Sequence, residues 1–451
     1  MPCEVGLTAS VAPLDSSPSP SFAELLRVFT RIGFLSFGGP AGQIALMHRE
    51  LVEERGWIAE SDFLHALNFC HLLPGPEAQQ LATWIGWRLH GWRGGLAAGL
   101  LFVIPGALII LALSVLYALA ANLALVEALF LGVKAAVLAI VVQALLRIAG
   151  RALDGGLKRA LAAGAFAGLF LLDLPFPLIV LGAGVIGLAA AAVRPELLGL
   201  KPGTGAPDNL PPRPWRSTVQ AVALWGAVWA APMVAVAATL GQNHVLWQIG
   251  AFFSQLAIVT FGGAYAVLAY MAQEAVQTFG WLQAGEMADG LGLAETTPGP
   301  LILVTQFVGY LAAFRDPAPF SPLVAGLLGA GLTTWVTFAP CFLWIFALAP
   351  WIDRLGHAVR LKGALAAVTA AVVGVIANLT VWFALHVLFA AVGERRFGPL
   401  RLFWPDPASL DWRAAVLAVV AAGLTFALKW PVLRVLALSA AGGMVLVLAG
   451  G

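Results

Sequence analysis

The chain has 451 residues, of which 60% are hydrophobic and 11% are charged, and its formal net charge is +2. Soluble domains carry roughly a quarter of their residues as charged side chains, so this composition excludes an ordinary soluble protein. The small net charge gives no information about partners, and the three scattered cysteines match neither a disulfide framework nor a metal-binding spacing.

Residues 1–20 lack the basic region and the apolar core of a signal peptide, so we predict a disordered lead-in there. The apolar blocks that follow are continuous rather than alternating, and they reach the roughly 20 residues that a helix needs to cross a bilayer. They predict an all-α integral membrane protein with about 13 transmembrane segments. The predicted spans are 22–47, 64–89, 95–120, 124–147, 157–172, 175–193, 217–240, 246–272, 287–314, 322–350, 361–392, 411–428 and 431–449.

A proline-rich stretch divides these spans. Residues 194–216 contain six prolines and four basic residues, which predicts a linker. The chain then falls into three membrane parts after the lead-in. They are a first repeat at 21–193, a linker with one connecting helix at 194–240, and a second repeat at 241–451.

The two halves carry the same motifs at the same spacing. Phe37-Gly38-Gly39 recurs as Phe261-Gly262-Gly263, an offset of 224 residues (261 − 37). The same offset relates Gly56-Trp57 to Gly280-Trp281 and Pro74-Gly75-Pro76 to Pro298-Gly299-Pro300. Further along, Ala135-Ala136-Val137 resembles Ala370-Ala371-Val372. This pattern predicts an internal duplication into two homologous six-span repeats.

The single connecting helix between the repeats predicts that the second repeat enters the membrane in the opposite sense, as in inverted-repeat transporters. Loop charges in the first half agree with a cytoplasmic N-terminus, because Arg88, Arg93, Arg147 and Arg151 all fall on the inner side. The second half agrees less well. Its basic residues that fall outside are Arg395, Arg396, Arg401 and Arg413.

Glycine and proline interrupt four of the predicted spans at matching positions in the two repeats. Proline removes a backbone donor and clashes with the preceding turn, so the Pro-Gly-Pro sequences must break a helix. In a membrane, broken helices are tolerated where they line a cavity, and the new helix start offers unpaired N–H groups to an anion. The alternative for Phe-Gly-Gly is close packing of helices. The candidate substrate-binding residues are Phe37, Gly38, Gly39, Pro40, Pro74, Gly75, Pro76, Glu77, Gln79, Lys134, Phe261, Gly262, Gly263, Pro298, Gly299 and Pro300.

Two ionisable residues in this set have alternative roles. Lys134 lies deep in an apolar block, where a charge is costly and is either functional, paired, or directed towards the membrane surface. Glu77 opens the helix after Pro76, where a carboxylate stabilises the helix start or acts as a protonatable group for coupled transport.

Four stretches carry a resemblance to a known family: GFLSFGGPAGQIALMHRELVEERGWI, LLPGPEAQQLATWIGWRLHGWRGG, TFGGAYAVLAYM and TTPGPL. They resemble the chromate ion transporter family, of the long-chain two-repeat type, and the resemblance extends from about residue 20 to residue 449. It implies a multi-pass protein of the bacterial inner membrane that exports chromate from the cytoplasm with the proton gradient. The second repeat departs from the first at Ala264, which stands where the first has Pro40. The halves therefore need not play equal roles.

The alternatives to this function are transport of another oxyanion, an anion channel and an enzyme. Sulfate and other tetrahedral oxyanions fit the same chemistry, and an anion channel also uses broken helices. An enzyme is disfavoured, because no zinc-type histidine spacing, paired carboxylates, nucleophile motif or ATP-binding loop is present in the sequence. We expect no cofactor, no metal and no nucleic-acid partner; a homo-oligomer is compatible with the sequence. The sequence is compatible with two arrangements of 64–89 and 287–314, which either cross the membrane or re-enter it.

Overall fold

The computed structural model describes residues 20–37, 39–120, 123–200, 215–261, 264–356 and 358–448. Residues 1–19 of the predicted lead-in and residues 201–214 of the predicted linker lie outside the described residues. The first repeat contains α1 Phe22–Leu35, α2 Gly39–His48, α3 Glu60–Cys70, α4 Glu77–Ala120, α5 Ala124–Ala152, α6 Gly156–Phe170 and α7 Phe176–Val193. A π-helical turn, Arg49–Glu53, extends α2.

The connecting helix is α8, Trp215–Thr239. The second repeat contains α9 Val245–Val259, α10 Ala264–Gln273, α11 Ala284–Thr296, α12 Val304–Arg315, α13 Pro322–Leu348, α14 Ile352–Gly356, α15 Val359–Leu388, β1 Val392–Phe397, β2 Leu400–Pro405, α16 Trp412–Ala422 and α17 Val432–Leu448. A π-helical turn, Glu274–Thr278, extends α10, as the equivalent turn extends α2. Short 3-10 turns adjoin α7, α12, α13 and α16.

The helices have the length and surface of an integral membrane protein, as predicted. Within the described residues, six helical segments are long and apolar enough to cross a bilayer: Glu77–Ala120, Ala124–Ala152, Phe176–Val193, Trp215–Thr239, Pro322–Trp351 and Val359–Leu388. Large apolar side chains such as Leu108, Leu181 and Val219 are more than half exposed on them. Lipid is the solvent in which such a surface is stable, because an unbroken helix pairs its backbone polar groups internally.

Four of the predicted spans are pairs of short helices rather than single helices. The span 22–47 is divided into α1 with 14 residues and α2 with 10 residues. At 1.5 Å per residue these are about 21 Å and about 15 Å long, less than the hydrocarbon core of roughly 30 Å. Arg31 of α1 lies 3.6 Å from Glu50 after α2, so the chain turns back between them. The spans 64–89, 246–272 and 287–314 are divided at the equivalent places.

The helix α4 reverses direction near its start. His90 has φ −136° and Gly91 has φ +59°, and the two arms on either side pack against each other through Gly86 and Gly94. The first arm is therefore a half-length helix that runs antiparallel to the second. In the second repeat, α12 packs antiparallel to α13 in the same manner, with Gly309 against Thr333. The segments 64–89 and 287–314 thus form hairpins of two half-length helices around a Pro-Gly-Pro turn.

Equivalent long helices of the two repeats run in opposite directions. The helix α7 is antiparallel to α15, because Gly187 packs against Gly363 and Gly184 against Val368. The helix α6 is joined to α7 by a short turn and runs parallel to α15, with Ala162 against Gly374. Because only residues 153–155 join α5 to α6 and both helices pack on α15, we infer that α5 runs antiparallel to α15.

The last two helices of each repeat pack on the other repeat. The pair α6–α7 lies on α15, and the pair α16–α17 lies on α5. Small residues permit these close approaches: Gly132 of α5 contacts Ser439 of α17, and Gly443 contacts Ala128. This is the packing expected in lipid, where helices associate through close contact of small side chains rather than through a hydrophobic driving force. The two repeats are therefore interlocked.

A β-hairpin joins α15 to α16 and was not predicted from the sequence. Its strands pair antiparallel from Val392 opposite Pro405 to Phe397 opposite Leu400. The equivalent connection in the first repeat is only residues 153–155, between α5 and α6. The basic residues that the sequence left on the outer side lie in and beside this hairpin. Arg396 pairs with Asp173, and Arg395 lies over the ring of Trp404.

Candidate functional site

The two Pro-Gly-Pro turns meet the ends of the first helices of the opposite repeats. The N–H of Gly75 donates to the carbonyl of Thr260 at 2.9 Å, and the N–H of Gly299 donates to the carbonyl of Ser36 at 2.9 Å. Thr260 and Ser36 are equivalent residues at the ends of α9 and α1, and both are buried. The same hydrogen bond is therefore made twice, each time between repeats. The two bonds hold four broken segments together at one place.

Glycine is required in both turns. Gly75 has φ +114° and Gly299 has φ +94°, a region that side-chain-bearing residues rarely adopt. A Cβ on Gly75 would lie 3.0 Å from the sulfur of Cys341, and one on Gly299 would lie 3.2 Å from the Cα of Gly106. Cys341 is in α13 and Gly106 is in α4, so each turn also packs against a long helix of the other repeat.

Buried amide side chains surround the turns. The Nε2 of Gln43 donates to the carbonyl of Gly299 at 2.6 Å, and the Nε2 of Gln80 donates to the carbonyl of Pro74 at 2.6 Å. The Nε2 of Gln306 donates to the carbonyl of Ala107 at 3.0 Å. Sequence reasoning missed Gln43 and Gln306 as site residues. Their signal was available, because a glutamine in an apolar membrane segment needs a partner.

Gln79 differs from these three glutamines. Its side chain is fully buried in the first turn of α4, and neither its oxygen nor its nitrogen has a hydrogen-bond partner among the described residues. An unpaired buried amide costs roughly 1–3 kcal/mol, so this site is incomplete as it stands. A ligand with both donors and acceptors, or with bound water, would satisfy it.

A large cavity leads towards this region from the first repeat. We call it the first vestibule; it lies between α2, α3, the start of α4 and the end of α5, and its volume is about 690 Å³. Three of the predicted site residues line it together with Arg147 and Arg151, namely Gly39, Pro40 and Glu77. No carboxylate pairs with Arg147 or Arg151 in the described part of the chain. The cavity therefore offers two positive charges.

Two of the three acidic residues that line the first vestibule are held by one histidine. His48 lies 3.0 Å from Glu53 through Nδ1 and 2.5 Å from Glu60 through Nε2. Its position at the end of α2 brings these two carboxylates together across the turn into α3. One imidazole ring therefore holds both carboxylates within the protein.

Lys134 is paired rather than free in the cavity. Its Nζ lies 3.1 Å from Oδ1 of Asp289, and the hydroxyl of Tyr117 donates to Oδ2 of the same carboxylate at 2.7 Å. Asp289 is 5% exposed. The pair joins α5 of the first repeat to α11 of the second, and Lys134 does not line the first vestibule. Sequence reasoning named Lys134 but not its partner.

The remaining predicted site residues divide into described and undescribed ones. Gly38, Gly262 and Gly263 lie outside the described residues. Phe37 and Phe261 occupy equivalent turns, each with its N–H bonded to the carbonyl two residues earlier. Gly39 has φ +68°, and a Cβ there would meet no atom within 4 Å, so this glycine serves the turn and not close helix packing. Pro76, Pro298 and Pro300 are buried.

The described residues hold no group of three or more histidine, cysteine, aspartate or glutamate side chains that could bind a metal ion. The chemistry of the site is therefore that of backbone N–H groups, amides and arginines.

A family model described as chromate transporter matches residues 23–188 and 247–445. The chain belongs to the chromate transporter family. The two matched stretches fall one in each repeat, and the N-terminal lead-in, the linker and the connecting helix α8 lie outside them. Members of this family are named as transport proteins and not as enzymes, so the protein is a membrane transporter.

Individual relatives agree with the family over most of the chain. It is 34% identical to the chromate transport protein of Pseudomonas aeruginosa, over 83% of this chain and 84% of the relative. It is 29% identical to a probable chromate transport protein of Synechococcus elongatus, over 82% of this chain and 86% of the relative. It is 28% identical to the chromate transport protein of Cupriavidus metallidurans, over 83% and 85%. No solved structure matches the chain significantly.

Proposed function

We propose that the protein is a secondary transporter of the bacterial inner membrane that exports chromate, or a related tetrahedral oxyanion, from the cytoplasm and is driven by the proton gradient. The names of the relatives from Pseudomonas aeruginosa and Cupriavidus metallidurans support chromate as the substrate. The multi-pass helical structure supports the membrane location.

The observation that carries this proposal is the reciprocal pairing of the Pro-Gly-Pro turns. Gly75 bonds to Thr260 and Gly299 bonds to Ser36, so the starts of two half-length helices lie at one interface between the repeats. Helix starts present N–H groups and a positive dipole end to an anion. Gln79 supplies an unpaired amide beside one of these starts.

The two repeats form an inverted pair in this proposal. The opposite directions of α5 and α15 support it, because these helices carry the matching sequences around Ala135 and Ala370. In secondary transporters an inverted pair permits the site to face each side of the membrane in turn. The basic residues near the end of α5 orient the first vestibule towards the cytoplasm by the positive-inside rule.

Arg147 and Arg151 give the first vestibule its role as the cytoplasmic entrance. Two arginines without a carboxylate partner in the described chain attract a dianion and partly replace its water shell. Glu77 stands between this entrance and the buried turn around Gly75. We assign to Glu77 the role of the protonatable group that couples anion movement to protons.

Uptake of radiolabelled chromate into inverted membrane vesicles tests the proposed function. We expect saturable uptake that requires a proton gradient and exceeds that of empty vesicles. Excess sulfate in the same assay tests whether the site distinguishes chromate from another tetrahedral oxyanion. Flux without saturation or gradient dependence would indicate an anion channel, and no uptake above empty vesicles would remove chromate as the substrate.

A further inference from the structure

The second repeat contains a closed counterpart of the first vestibule, which we call the second vestibule. Its volume is about 10 Å³, compared with about 690 Å³ for the first. The lining residues correspond across the duplication, at offsets of 224 and, in the later helices, 235 (370 − 135). The matched pairs are Ala45 with Ala269, His48 with Ala272, Glu53 with Gln277, Ala144 with Leu379 and Arg147 with Trp382.

The β-hairpin fills the second vestibule. Arg401 and Phe403 of β2 line the closed cavity, and Arg401 is 4% exposed. The Nη1 of Arg401 lies 2.7 Å from Oδ1 of Asp173, and its Nη2 donates to the carbonyl of Leu169 at 3.2 Å. The backbone N–H of Arg401 donates to the carbonyl of Leu171 at 2.7 Å. The hairpin is thereby fastened to the turn between α6 and α7.

Asp173 makes several of the contacts that hold the hairpin against this turn. It has φ +54°, an unusual conformation for a residue with a side chain, and it lies in the turn between α6 and α7. Besides Arg401, it accepts a hydrogen bond from Nε2 of Gln273 at 3.3 Å and pairs with Arg396 at 3.2 Å. One carboxylate therefore joins the turn, the hairpin and the end of α10.

The hairpin is present on one side only. Residues 389–411 separate α15 from α16, whereas residues 153–155 separate α5 from α6. Among the described residues no such cover lies over the first vestibule, whose volume is about 690 Å³. The difference in volume between the two cavities thus coincides with an insertion that the duplication does not explain.

We propose that the second vestibule is the exit path for the anion, and that residues 392–405 are its gate, held shut by Arg401 and Asp173. This inference rests on the proposed function. Asp173 is partly exposed, so the pair can be opened without burying a lone carboxylate. A departing tetrahedral dianion offers the guanidinium a second oxygen partner of higher charge, so it competes with Asp173 for Arg401.

Cysteine labelling from the outer side tests the gate directly. Ala45→Cys and Ala269→Cys are matched reporters, because the two alanines are equivalent and line the open and the closed vestibule. A Cys3→Ser background is suitable, since Cys70 and Cys341 are buried. The probe is a membrane-impermeant maleimide applied to right-side-out vesicles. In the parent protein we expect little labelling of Ala269→Cys.

Adding Arg401→Gln or Asp173→Asn should raise the labelling rate of Ala269→Cys about tenfold, the population shift that loss of about 1.4 kcal/mol produces. Arg395→Gln is the control, because Arg395 is exposed on the same hairpin and does not line the cavity. Ala45→Cys labelled from the inner side reports that each variant is folded. An unchanged rate in both variants, with Ala45→Cys still reactive, would overturn the gate. This readout needs no chromate, so it is independent of the uptake assay for the proposed function.

Discussion

Gln79 is a buried side chain whose effects on stability and on transport can be measured separately. Its amide is fully buried and unpaired among the described residues, so the folded protein carries its desolvation cost. This desolvation cost is expected in a binding site where the ligand supplies the missing hydrogen bonds. The neighbouring Gln80 is different, since its amide already bonds the carbonyl of Pro74.

We expect Gln79→Leu to reduce chromate uptake by about tenfold or more while leaving the thermal midpoint in detergent unchanged or higher, because it removes an unpaired amide. Gln80→Leu is the matched control and should lower both quantities, since it breaks an existing hydrogen bond. Uptake of Gln79→Leu at the parent level would contradict the role of this amide in binding.

Lys134 and Asp289 form a buried pair whose members depend on each other. Removing one partner of such a pair leaves an uncompensated charge and costs roughly 3 kcal/mol. We therefore expect Lys134→Met and Asp289→Asn each to lower the thermal midpoint, and the double variant to be more stable than the sum of the two losses predicts. Additive losses in this double-mutant cycle would show that the two side chains are not coupled.

At the scale of elements, both the backbone conformation and a neighbouring helix constrain the Pro-Gly-Pro turns. A side chain at Gly299 meets both an unfavourable φ and the backbone of α4 at Gly106. We expect Gly299→Ala to abolish uptake and to destabilise the protein by roughly 2–3 kcal/mol. Gly56→Ala is the control. Gly56 has φ +60° but no atom within 4 Å of a Cβ, so only the backbone cost of about 1 kcal/mol applies.

Features that depend on the residues of one segment could be predicted from the sequence, whereas contacts between distant segments could not. The breaks at Gly39 and at the two Pro-Gly-Pro turns follow from residues that cannot continue a helix, and the duplication follows from their spacing. The reversal at His90–Gly91 falls between the predicted spans 64–89 and 95–120, where Arg88 and Arg93 interrupt the apolar pattern. Asp289 was missed as the partner of Lys134, since the pairing depends on how α11 packs against α5.

At the scale of the whole molecule, the inverted arrangement gives a prediction about sidedness. Arg159 follows α5 and Arg395 follows α15, and both side chains are exposed. In single-cysteine variants at these positions, we expect Arg159→Cys to react only from the cytoplasmic side and Arg395→Cys only from the outer side. Labelling of both from the same side would exclude the inverted arrangement.

The interlocked packing of the repeats has a consequence for how such a chain can arise. Each repeat places its last two helices on the long helix of the other, α6–α7 on α15 and α16–α17 on α5. A polypeptide with one repeat alone would leave the small-residue face around Gly132 uncovered. In the proposed inverted arrangement a half-length ancestor would need to enter the membrane in both orientations, and fusion through a single helix such as α8 would fix one copy in each.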